Sequence, residues 1–140
     1  MFGYGGGGWG RFHGIAAGAT YWAGRGLGTA NAFGNTAIDS RGNLRDHFGY
    51  LGVANYRIGN FEIASSYGAS NVKQTDFDRA PPPSSDIFVL VKQVRGIAGL
   101  IAYHVGPVTF SIDGMNIRTE YYRGAVLRDN VVSGGVLGEW

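Results

Sequence analysis

Apolar and polar residues alternate with a period of two along most of this chain, and six such runs stand out. Side chains of a strand point to opposite faces in turn, so this period predicts half-exposed β-strands. The runs lie near residues 11–25, 47–58, 61–72, 87–105, 108–122 and 131–140. In the first, Ile15, Ala17, Ala19 and Tyr21 share a face; in the second, Phe48, Tyr50, Ala54, Tyr56 and Ile58 do. Phe61, Ile63, Tyr67 and Ala69 line the third, and Ile97, Gly99, Ile101, Tyr103 and Val105 the fourth. Sustained i, i+3, i+4, i+7 spacing is missing, and the recurrent glycines each cost a helix interior about 1 kcal/mol relative to alanine. The fold expected is therefore all-β.

The runs on either side of Gly106-Pro107 are longer than soluble strands, whose mean is about five to six residues. They match the about nine to eleven residues of a membrane-spanning strand. Links between runs alternate in length. Gly59-Asn60 and Gly106-Pro107 are tight turns, and Gly tolerates the positive φ they require. The other links, such as 26–46, 73–86 with Pro81-Pro82-Pro83, and 123–130, are long and polar. Long loops on one rim and tight turns on the other are the rhythm of an antiparallel up-and-down transmembrane β-barrel.

The fifth run breaks its alternation. Val108, Phe110 and Ile112 are apolar at even positions, whereas Met115, Ile117 and Tyr121 are apolar at odd ones. A one-residue bulge near Gly114 would restore the facing. It would place Asp113, Asn116, Arg118 and Glu120 together on the polar side.

Composition narrows the class. Among 140 residues there are 25 Gly, eight Tyr, eight Phe and three Trp, with charged residues at 16%. Sparse charge with many aromatics argues against charged disorder. The net charge is +2, from 12 Lys+Arg against 10 Asp+Glu, and the bases are scattered, so no nucleic-acid footprint emerges. The chain has no Cys, which removes disulfides and thiolate metal sites. No run of about 18 apolar residues predicts a spanning helix.

The tract GLIAYHVGPVTFSIDGMNIRTEYYRG resembles the late strands of Gram-negative outer-membrane porins. The ending VVSGGVLGEW resembles their last strand, with Trp140 preceded by Gly138, Val136, Gly134 and Val132 at alternate positions. The resemblance covers roughly residues 11–140. It implies a bacterial outer-membrane location, passive diffusion of small hydrophilic solutes, and Trp140 as part of the signal that the barrel-assembly machinery reads. It also implies contact with outer-membrane lipid and allows a homo-oligomer. The chain departs from the family in opening without a signal-peptide pattern and in showing about six strands, where bacterial barrels begin at about eight. The expectation is thus part of a larger or incomplete barrel, with residues 1–10 a Gly-rich connector; several copies closing one barrel are the other account.

Candidate chemistry is thin. His13, His47 and His104 lack metal-ligand spacing, Gly5 to Gly8 lacks the Lys-Ser/Thr pair of a phosphate loop, and Ser65, Ser66 and Ser70 lack a nucleophile elbow. No enzyme activity, cofactor or metal is expected. Glu62, Asp113, Asn116, Arg118 and Glu120 are the candidate pore-lining residues, setting solute selectivity by their field. Tyr21, Trp22, Tyr50, Tyr56, Tyr67, Tyr103, Tyr121 and Trp140 are candidates for interfacial girdles. Two other classes stay open: a non-conducting outer-membrane barrel for adhesion or anchoring, and a soluble Gly-rich β structural protein that associates through strand edges.

Overall fold

A computed structural model describes residues 2–27, 37–79 and 90–138. Seven strands form one antiparallel up-and-down sheet in sequence order. They are β1 (Phe2–Phe12), β2 (Ile15–Arg25), β3 (Asp46–Ile58), β4 (Phe61–Val72), β5 (Val91–Val105), β6 (Val108–Tyr121) and β7 (Val126–Gly138). One helical turn, α1 (Asp76–Arg79), follows β4. The sheet is not closed: β1 and β7 are both edges.

The Gly-rich start is a strand rather than a connector. Phe2 to Phe12 pairs with Ile15 to Arg25 without interruption. The run expected at 11–25 therefore splits at His13-Gly14, where both residues take positive φ (46° and 82°). Two successive positive-φ residues are the signature of a type I′ hairpin turn, which matches the right-handed twist of its strands. Glycine suits β1 sterically. A Cβ at Gly7 would sit 2.6 Å from the Ala19 carbonyl oxygen and 2.7 Å from Thr20 Cγ2.

Three tight turns now share one rim: His13-Gly14, Gly59-Asn60 and Gly106-Pro107. Gly59 and Gly106 have φ of 56° and 55°. The opposite rim carries the links between β2 and β3, β4 and β5, and β6 and β7. The last of these is shorter than expected, because β7 begins at Val126 and not at residue 131. Residues 28–36 and 80–89, including the proline run, lie outside the described residues, as does Trp140.

No bulge occurs at Gly114. Pairing runs without a shift from Gly99↔Gly114 to Ala98↔Met115 on one side, and from Gly114↔Val132 to Met115↔Val131 on the other. The one register shift in this hairpin lies at Val91/Gln93, near the loop rim. The broken alternation in β6 is accommodated by size. Met115 faces Ala98, and Ile117 faces Gly96, so the larger side chains project beside small partners.

The sheet has two unlike faces. Along β5, Ile97, Gly99, Ile101, Tyr103 and Val105 are exposed, while Ala98, Leu100 and His104 are half-buried and Ala102 is buried. A cavity of about 580 Å³ on the latter side is lined by Trp9 and Arg11 of β1, Asn55 of β3, Leu100 of β5, Asp113 of β6 and Val131 of β7. A flat sheet with strands about 4.8 Å apart would set β1 and β7 roughly 29 Å apart, too far to line one cavity of that size. The sheet is therefore curled, and this side is its concave face.

Candidate functional site

The concave face carries a polar chain at the tight-turn end. Asn55 Nδ2 donates to Glu62 Oε1 (3.1 Å). The other Glu62 oxygen lies 3.2 Å from His104 Nε2, and His104 Nδ1 lies 2.9 Å from Thr109 Oγ1. Four neighbouring strands are thus linked, β3 through β6. Further along β6, Ser133 Oγ of β7 donates to Asp113 Oδ2 (2.8 Å). The register puts Glu62 opposite Ala102 and Asp113 opposite Leu100, so both carboxylates lie on one face.

The remaining candidates do not join them. Asn116, Arg118 and Glu120 lie opposite Ile97, Arg95 and Gln93 on the convex face. Continuous pairing through Gly114 keeps them there. Of the five expected pore-lining residues, Glu62 and Asp113 share the concavity and Asn116, Arg118 and Glu120 are turned away from it.

The convex face is organised in levels. Nearest the tight turns, Phe61, Tyr103 and Phe110 are direct cross-strand neighbours, and the Phe61 and Tyr103 rings are 4.6 Å apart. Toward the loop rim, Tyr21 pairs with Tyr50, whose ring lies 6.0 Å from that of Tyr67. Between these aromatic rows lie apolar and small residues: Ile63, Ile101 and Ile112 at one level, then Ser65, Gly99, Gly114 and Val132. On β4 the rows are six residues apart, roughly 20 Å along the strand at about 3.3 Å per residue. Trp22, expected in a girdle, is on the concave face. Its ring lies over Gly49, where a Cβ would collide with it.

Above the upper aromatic row the convex face turns polar. Arg95, Arg118 and Arg128 stand side by side on β5, β6 and β7. Glu120 Oε1 contacts Arg118 Nη2 at 2.9 Å and Arg95 Nη2 at 3.6 Å. Asn116 and Asn130, one step nearer the aromatic row, are hydrogen-bonded at 2.7 Å.

The loop rim holds the buried polar residues. Arg45 grips Asp78 with two parallel hydrogen bonds of 2.7 and 2.8 Å, and neither side chain is more than 2% exposed. A fork-to-fork pair of this kind is favoured by the planar guanidinium. Asp78 also caps α1: its carboxylate accepts from the Thr75 backbone amide, and its own amide donates to Thr75 Oγ1. Asp39 accepts from the amides of Arg41 and Asn43, from Asn43 Nδ2 and from Thr75 Oγ1. Burial pushes the Asp39 carboxyl up, but the hydrogen bonds from Asn43, Thr75 and Arg41 outweigh it and hold the pKa down at about 2. Burial also opposes ionisation of Asp78, and Arg45 with Thr75 reverses the effect, leaving it below the usual carboxylate range.

The periodicity did not reveal this rim cluster, because it joins residues on two separate links. Thr75 followed three residues later by Asp78 is a capping-box spacing that signals the turn of α1. No protein-family model matches the chain. No match is found either among the curated proteins or among the solved structures.

Proposed function

We propose that this sheet is part of the wall of a transmembrane β-barrel in a bacterial outer membrane, with the concave face lining a porin-like path for small hydrophilic solutes. The division of the convex face carries the reading. Two aromatic rows bracket a band of exposed apolar and small residues. On β5 the exposed face, with Tyr103 of the lower aromatic row included, runs from Ile97 to Val105, about nine residues, the length a tilted spanning strand needs. Outer-membrane barrels present such a band between aromatic girdles. In water the same band would be a contiguous exposed apolar patch of a kind soluble monomers rarely carry. The concave face meanwhile offers Glu62, His104, Thr109, Asp113 and Ser133 as hydrogen-bonding groups for passing solutes.

Strand direction supports a larger assembly. Six antiparallel steps separate β1 from β7, so the two edges run the same way. Direct closure would pair them in parallel; an all-antiparallel barrel takes an odd number of further strands between them. That number sets the lumen. One added strand makes an eight-stranded barrel filled by its own side chains, and many more leave an aqueous channel.

One observation favours a second reading, a non-conducting barrel that anchors or adheres. Part of the concave face is apolar: Trp9, Val53, Leu100, Met115 and Val131 line the same cavity as Asp113. Reconstitution into planar bilayers separates the two. Stepwise ion conductance supports the channel; inserted but silent protein favours the anchor; protein that stays folded and monomeric in plain buffer removes both.

A further inference from the structure

Three arginines in one cross-strand row are an unusual arrangement. Arg95 is the register partner of Arg118, and Arg118 is the partner of Arg128. Like charges directly opposite one another across strands are destabilising. Glu120 is shared by Arg95 and Arg118, and Arg128 has no ion pair among the described residues. Three positive groups against one carboxylate leave two charges uncompensated. Arg118 Nε is shielded from solvent with no hydrogen-bond partner among the described residues. A buried donor in that state is destabilising unless a partner reaches it. A cavity of about 260 Å³ lies at this spot, lined by all three arginines with Tyr67 and Asn116.

We propose that this row holds the phosphate of an anionic lipid headgroup on the outside of the wall. Guanidinium groups bind phosphate through paired, charge-assisted hydrogen bonds, and a headgroup phosphate monoester, which carries nearly two negative charges at neutral pH, would neutralise the two excess charges. The height is right for a headgroup. Arg95 is two residues beyond Ile97, the partner of Tyr67 in the upper aromatic row, or about 7 Å along the strand. Tyrosines of such rows sit at the level of the headgroups, and the arginines stand just beyond the hydrocarbon. The loop rim carries the site, which assigns it to the leaflet on that side. This assignment rests on the membrane-wall reading, since the same row on a soluble protein would face only water.

The test uses the full chain reconstituted into phosphatidylcholine vesicles containing a small fraction of a diphosphorylated glucosamine lipid. A parallel sample contains the same glycolipid without its phosphates, and a third contains the phosphorylated lipid together with an equal concentration of inorganic phosphate. Protease protection reports insertion, and native mass spectrometry after detergent extraction reports retained lipid. The expected result is retention of the phosphorylated lipid about tenfold above the dephosphorylated one, lost in the Arg95→Gln/Arg128→Gln variant, which still inserts. Equal retention of the two lipids by inserted protein overturns the site and leaves the wall reading standing. Displacement of the lipid by an equal concentration of inorganic phosphate reassigns the row to soluble anions and also overturns it. Failure to insert overturns both.

Discussion

Between its aromatic rows the convex wall leaves Ile63, Ile101 and Ile112 55%, 58% and 65% exposed, whereas at the loop rim Val72, Leu90 and Val91 are at most 2% exposed. The same residue class meets opposite fates within one sheet. At the rim, residues 37–45 and 73–79 bring Arg45, Asp78 and Asp39 together in satisfied hydrogen bonds, and Val72, Leu90 and Val91 are buried beside them. On the wall nothing among the described residues covers the isoleucines. The rim buries its own apolar groups, and the wall leaves its apolar face bare, which on the proposed reading the bilayer covers. On the proposed reading stability has two sources, burial at the rim and lipid on the wall, and each can be removed separately.

The largest effect is expected at the rim. Replacing Arg45 by Ala leaves the Asp78 carboxylate buried without its partner, which costs about 3–5 kcal/mol. Limited proteolysis should then cut within residues 37–46 and 73–79 while amide-exchange protection of the β3–β6 ladder persists. Loss of protection across the whole sheet would mean that rim and wall are not separable.

Next in size is a charge on the wall. Ile101→Arg should cost about 2–4 kcal/mol in phospholipid vesicles, as for an arginine at mid-bilayer on a barrel's lipid face. Denaturant titration of the vesicle-inserted protein measures this. An unchanged midpoint would mean that the isoleucine row never meets hydrocarbon.

Acid gives the smallest of the three effects, and Asp39 at the rim is its target. The Asp39 pKa falls from 3.8 to about 2 on folding. A depressed carboxylate stabilises above its unfolded pKa and loses that contribution as pH falls toward its folded value. About 2 kcal/mol should therefore disappear between pH 4 and pH 2. Asp39→Asn should flatten that part of the stability–pH curve.

Much of the wall was legible in the sequence because period-two alternation is a direct image of a two-sided sheet. Ile97 to Val105, Phe61 to Ala69 and Val132 to Gly138 all fall on the faces their patterns predict. β1 was hidden because glycine carries no pattern: Gly3, Gly5, Gly7, Gly8 and Gly10 give no side chain to alternate, and only His13-Gly14 marked the hairpin. β6 misled for a different reason. The expectation assumed that apolar residues keep to one face throughout. Instead Met115 and Ile117 fill concave space beside Ala98 and Gly96, and Arg118 and Glu120 take the convex face beyond the apolar band. The rim cluster depends on residues distant in sequence, Arg45 with Asp78 and Asp39 with Thr75, and period carries no such information.

On the proposed reading the convex face of the wall meets lipid and the concave face meets water. Ser65 and Ser66 are adjacent on β4 and point to opposite faces, and the natural absence of cysteine allows a single thiol at either position. Spin labels attached to Ser65→Cys and Ser66→Cys in vesicle-reconstituted protein report collisions with oxygen, enriched in hydrocarbon, and with a water-soluble nickel chelate. Lipid on the convex face and water on the concave one give an oxygen-dominated label at Ser65 and a nickel-accessible label at Ser66. Nickel accessibility at both positions, or the reverse order, would contradict it.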